Sequence, residues 1–242
     1  AWIGSFLCHY PIPIFDQGHW FDFVQAAVSA HFFLPSNVLQ RAKPFAERAR
    51  SAWLNLQIST GGFTSQSIRQ YLSSMKDAAN AISCLTSVPL TDRRFLIDLP
   101  LRAQDLGMPG LASGFVDLIL PEEPIEPNWE AWLESWRKDF ARLQGLTETP
   151  LIYGEGRLSY YEKAIQGLRD TQQEAALWIL LWTWTDISAR LHADTTDEQE
   201  YSNFCNLLGL DSEHFQSRIR SLDAYLDTVE ETIDRWVAAH GL

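Results

Sequence analysis

Apolar residues recur at intervals of three and four along most of this chain, the period of helices that bury one face. The clearest stripe, Ile68, Tyr71, Leu72, Met75, Ala79, Ile82 and Leu85, predicts an amphipathic helix started by Thr64 or Ser65. Before it, an aromatic-rich helix is predicted over residues 20 to 34, stopped by Pro35. Ser36 can cap the next helix, which runs toward Ile58 with a kink at Pro44, and "TGG" at 60 to 62 breaks the chain. Thr91 is expected to cap "DRRFLIDLPLRAQDLG", bent at Pro100. A turn from Gly107 to Gly110 then leads into a short apolar helix ending at Pro121. Alternation in "YPIPIFD", Tyr10 to Asp16, predicts one extended edge strand, since its prolines cannot donate in a central one.

"PEEPIEPN", Pro121 to Asn128, packs prolines and glutamates as a stiff connector does and predicts a subdomain boundary. Asn128 then caps a helix carrying Trp129, Trp132, Trp136, Phe140 and Leu143. Gly154 and Gly156 turn into "RLSYYEKAIQGLRD". Two helices close the chain, from about Asp197 to Leu208 and from Asp211 to His240. The expectation is an all-α fold of about nine helices in two subdomains with one short N-terminal strand. Its parts are 1–19 as a strand-bearing remnant, a helical subdomain over 20–120, the connector 121–128, and a Trp-rich acidic subdomain over 129–242.

"ALWILLWTWTDI", Ala176 to Ile187, is the most unusual stretch. Its apolar run of about eleven residues is too short for the ~20 that span a membrane. Thr171 and Glu174 stand in capping-box spacing ahead of it, and Trp178, Leu181, Trp182 and Thr185 recur at helical intervals. Leu177, Trp184 and Ile187 occupy other faces, so the helix is apolar nearly all round and belongs in the middle of a bundle. The plain reading of each indole is core packing; the functional one is a wall of a ligand pocket.

Composition narrows the classes. With 242 residues and 46% hydrophobic content the chain can build a sizeable core. Cys8, Cys84 and Cys205 are odd in number and lack CxxC spacing, which fits a reducing cytoplasm better than a disulfide framework or zinc site. The apolar start has no basic segment or cleavage site of a signal peptide. A net charge of −12 makes nucleic acid a poor partner. That charge is uneven: residues 1–120 hold nine Lys/Arg against eight Asp/Glu, and 121–242 hold ten against twenty-three. Arg41, Lys43, Arg48 and Arg50, facing only Glu47 locally, form a basic strip whose plain reading is a solvated helix face.

No chemical motif is complete. The six histidines show no i, i+4 pair, so no metal ligand set is assigned. "GEG" at 154–156 lacks the other features of a phosphate loop, and no GxSxG or HExxH signature suggests a catalytic triad or zinc protease. "DSE" at 211–213 reads as helix capping rather than a magnesium pair. Lys163 leaves the buried stripe of Tyr161, Ala164, Ile165 and Leu168 on a neighbouring face, either solvated or reaching an anion.

The combination of "YPIPIFDQGHWFDF", "YLSSMKDAANAISCLTSVPLTDRRFLIDLPLRAQDLGMPGLASG" and "YYEKAIQGL...AALWILLWTW" resembles the C-terminal, helical part of bacterial nucleotidyltransferases of the aminoglycoside-modifying and MNT type. In that family a small sheet holds Mg-ATP, and a helical domain closes the cleft and binds the acceptor. The resemblance implies that Lys163, Lys76 and Arg69 contact the nucleotide. It also implies that Trp178, Trp182, Trp184, Tyr160 and Asp186 line an acceptor pocket, with a cationic acceptor favoured by the acidic half.

The family's Gly-Ser turn and D-x-D carboxylate pair, which hold the metal, are absent: Gly4-Ser5 stands alone. The chain is therefore expected to be non-catalytic alone and to hold no cofactor. Mg-ATP is implied only with an upstream catalytic half, which a start at Ala1 without methionine would fit. A small-molecule acceptor and an upstream or separate nucleotidyltransferase domain are the expected partners; neither nucleic acid nor a membrane is. Two alternatives stay open: a stand-alone helical ligand-binding or regulatory domain, and a HEPN-like interaction module with a large self-associating apolar face.

Overall fold

The computed structural model describes Leu7 and residues 12–58, 63–121, 124–191 and 198–242. Those residues form ten α-helices and no strand. In chain order they are α1 (Trp20–Phe32), α2 (Pro35–Ile58), α3 (Ser65–Thr86), α4 (Phe95–Asp105), α5 (Gly110–Asp117), α6 (Trp129–Gln144), α7 (Arg157–Leu168), α8 (Gln173–Leu191), α9 (Glu198–Leu207) and α10 (Phe215–Ala239). Single 3-10 turns at Asp92–Arg94 and Leu151–Tyr153 precede α4 and α7.

The strand expected at Tyr10–Asp16 is not formed over residues 12–16, which are irregular; Tyr10 and Pro11, like the "TGG" break, lie outside the described residues. Alternation alone makes a strand only where a neighbouring edge supplies hydrogen bonds, and Ile12, Ile14 and Phe15 instead stand exposed. Pro35 begins α2 rather than merely ending α1, because its fixed φ and missing N–H suit a first helical position. Pro44 sits inside α2, where it lacks the N–H that would bond the Gln40 carbonyl. Thr64 caps α3 in a reciprocal box with Ser67, and Asn128 accepts from the Ala131 amide at the head of α6. Thr171 is not the cap of α8: its amide closes α7 on the Leu168 carbonyl, and α8 begins two residues later. Asp211 takes the amides of Glu213 and His214 within the turn ahead of α10, which begins only at Phe215 and has no side-chain cap bond at His214.

α8 is the hub. Fourteen of its residues are buried, and it packs against α3, α4, α6 and α7. Trp178 fits between Phe95, Phe115 and Trp182, while Trp184 faces away and stacks on Phe204. The apolar core is continuous from Val38 in α2 to Ile233 in α10, across the Pro/Glu connector. Cys84 and Cys205 are buried within it, which pushes both thiols up to about 12.

The basic strip of α2 is neutralised by distant elements. Arg48 makes a two-pronged pair with Asp77 of α3, and Arg41 lies over the Phe32 ring. Arg50 reaches three carboxylates on one face of α10, Asp223 at 2.6 Å, Asp227 at 2.6 Å and Glu230 at 2.8 Å. It joins the second and last helices and separates acids that would otherwise repel. Arg50→Met should therefore cost about 2 kcal/mol, since the partners are half-exposed and only the guanidinium is well covered. Arg50→Lys should recover less than half, because one ammonium cannot fork to three acids. Urea unfolding of both variants checks this; equal stability of Lys and wild type would contradict it.

Candidate functional site

Polar residues are scarce inside this bundle, and two of the buried ones, Asn80 and Asp186, lie on a seam that carries further polar side chains at its edge. On α3, Arg69, Ser73, Lys76 and Asn80 follow 4-3-4 spacing and so share a face. On α8, Trp178, Trp182, Asp186 and Arg190 follow each other every four residues. α3 and α8 pack together, so the two rows meet.

At one end Asp186, only 3% exposed, accepts from Arg190 at 2.9 Å and forms an ion pair with Arg69 at 2.5 Å. The fully buried Tyr153 hydroxyl lies beside that carboxylate without a bond of good geometry. Burial first, then the Asp186 charge, holds its ionisation well above the usual tyrosine range. At the other end Lys76 pairs with Asp92 and places its ammonium 4.0 Å from the centre of the half-buried Trp182 ring. Burial and the nearby Asp92 push Tyr161 up to about 12.

Lys76 and Trp182 form part of a cleft of about 320 Å³ between α2, α3 and α8, with Phe45, Arg48, Ser73, Asp77 and Asn80 as its other walls. Asn80 is itself fixed, donating to the Lys76 carbonyl and accepting the Leu90 amide. Along the seam Arg48, Arg69, Lys76 and Arg190 face Asp77, Asp92 and Asp186, which leaves one cation in excess. Within the cleft the charges balance, Arg48 against Asp77 and Lys76 against Asp92, and the excess lies with Arg69 and Arg190 at the Asp186 end. An anion joined to a flat or apolar group can sit on the aromatic floor by taking the place of one of those carboxylates.

The sequence candidates divide accordingly. Arg69, Lys76, Trp182 and Asp186 lie on this seam, with Trp178 buried at its inner end. Trp184 is elsewhere: its indole donates to the buried Asp139 at 2.9 Å. Lys163 is exposed on α7 and has no ion pair among the described residues. Tyr160 is exposed on α7 and does not line the cleft; the guanidiniums of Arg93 and Arg157 lie near its ring at 5.0 and 5.4 Å. Ser73 and Asn80 escaped notice, although polar residues in the buried register of α3 were the available signal. Arg48 was visible only as a member of the basic strip and Asp77 carried no local signal, because their pairing depends on how α2 meets α3.

Two other places bring polar groups together. A groove of about 940 Å³ runs between α5 and α10, but its Arg218 is already occupied by the Asp117 and Leu208 carbonyls. Asp16, His19 and Asp22 bring potential metal ligands within 4.8 Å of one another. Asp16 there accepts the Phe21 amide and His19 contacts Asp22, so the group serves the start of α1. No helix among the described residues is long and apolar enough to cross a membrane. Compared with known protein families, with characterised proteins and with solved structures, the chain has no match.

Proposed function

We propose that this chain is a helical binding module that seats a small, anion-bearing ligand in the α2–α3–α8 cleft, and that it does no chemistry alone. The observation that carries this is the Lys76 ammonium held over the Trp182 ring in a cleft walled by Arg48, Ser73 and Asn80. In the nucleotidyltransferase-like reading the anion is a nucleotide triphosphate, and a catalytic half elsewhere supplies the metal-binding carboxylates. In the stand-alone reading the same seat serves a regulatory ligand, with no dependence on Mg²⁺. Lys76 and Arg69 take the anion-contacting role in both; Lys163, exposed on α7, is a peripheral contributor at most.

Calorimetric titration with ATP, with and without Mg²⁺, separates these readings. Saturable binding is expected to weaken at least tenfold in Lys76→Ala, a loss of about 1.4 kcal/mol. Binding that survives Lys76→Ala but is lost in Lys163→Ala would move the seat to the α7 surface. No heat with ATP in either condition removes the nucleotide reading and leaves the regulatory-ligand one.

A further inference from the structure

The helix α1 is attached to the rest of the fold along one side only, and among the described helices its packing partner is α2. Phe32 is buried, and Gln25, which falls on the same side, donates to the Leu7 carbonyl. The opposite side is apolar and open. Trp20 (68% exposed), Phe23 (74%), Ala27 and Ala30 succeed one another at spacings of 3, 4 and 3, and Leu34 (44%) follows in the bend just beyond the helix end. That spacing is the seam of two helices packed side by side, and neither a strand nor an extended peptide would cover it evenly. Beside the seam, an apolar groove of about 620 Å³ opens between α1 and α2, lined by Phe23, Ala27 and His31 and by Asn37, Gln40 and Arg41.

We propose that this face is a homodimer interface, in which α1 of a second copy lies antiparallel against α1 across a two-fold axis near Ala27. Three features favour a second copy. First, the seam is self-complementary in size: reversed about Ala27, the bulky Phe23 of one copy meets the small Ala30 of the other. Ala27 then meets itself at close approach, and Trp20 extends past the end of the partner helix toward the bend at Leu34. A two-fold pair requires this isologous match. Second, the seam carries no charge, and it belongs to the half of the chain with nine cations against eight acids. Pairing through it keeps the acidic half, with ten against twenty-three, away from the axis. Third, α1 has no Lys or Arg and one acid, Asp22, where a helix lying on an anionic lipid surface would carry a basic face.

Sedimentation velocity of the whole chain from 1 to 100 µM is the test. The expected result is a monomer–dimer equilibrium approaching twice 27.6 kDa. Ala27→Glu, an exposed position whose change leaves the monomer's core untouched, should weaken dimerisation at least 100-fold with unchanged far-UV circular dichroism. In a Cys8→Ser background, Ala27→Cys should cross-link to itself under mild oxidation and Leu34→Cys should not; cross-linking of both indicates a parallel pair and overturns the two-fold. A single 27.6 kDa species at 100 µM, a dimer indifferent to Ala27→Glu, or binding to anionic vesicles that Ala27→Glu abolishes would each sink the proposal.

Discussion

Replacing Asp186 by alanine is expected to lower stability by about 3 kcal/mol. The carboxylate is buried and answers two guanidiniums at once, Arg69 from the head of α3 and Arg190 from the tail of α8. Its removal strands two positive charges that are each about two-thirds covered, and among the described residues no other acid is paired with either of them. Remaining access to water keeps the loss at the lower end of the range for breaking a buried pair. The triple change Arg69→Met, Asp186→Leu, Arg190→Met should return most of it, because apolar side chains of similar size need no partner. Urea unfolding with an unchanged slope measures both. A loss below about 0.5 kcal/mol in Asp186→Ala would mean that water already shields the triad, and would falsify the view of it as a tie between α3 and α8.

That triad also marks what a sequence can and cannot tell. α8 was legible as the central helix because every one of its faces is apolar, which periodicity records directly. Arg69 and Asp186 could each be chosen as functional, yet their pairing depends on α3 lying against α8, and no local pattern encodes that. The same holds for Arg50, whose acids lie 173 to 180 residues away. Other misreadings came from signals that had two physical meanings. Thr171 and Glu174 have the spacing of a capping box, but the Thr171 amide was needed to finish α7. "YPIPIFD" alternates like a strand, but over residues 12–16 nothing pairs with it. One error was avoidable: Trp182 and Trp184 are about 200° apart around a helix, so they could not wall one pocket.

The division among the indoles of α8 gives the second large effect. Trp184→Phe should cost about 3 kcal/mol, and Trp178→Phe only about 1 kcal/mol, although both indoles are fully buried and lose the same atoms. The difference lies in the N–H. Trp184 donates to Asp139, a carboxylate with no exposure, and phenylalanine leaves that acceptor short of a donor. Trp178 has no acceptor for its Nε1, so truncation removes an unsatisfied donor and offsets part of the lost packing against Phe95 and Phe115. Combining Trp184→Phe with Asp139→Leu should cost less than the sum of the two single changes by 1 kcal/mol or more, a coupling of the size seen for groups in one network. If Trp178→Phe proves as costly as Trp184→Phe, the hydrogen bond to Asp139 is not what distinguishes them. Ligand binding should be indifferent to both. Trp182, half-buried beneath Lys76, is the indole of this helix whose replacement should weaken binding at the cleft while sparing stability, so core and seat alternate along one run of tryptophans.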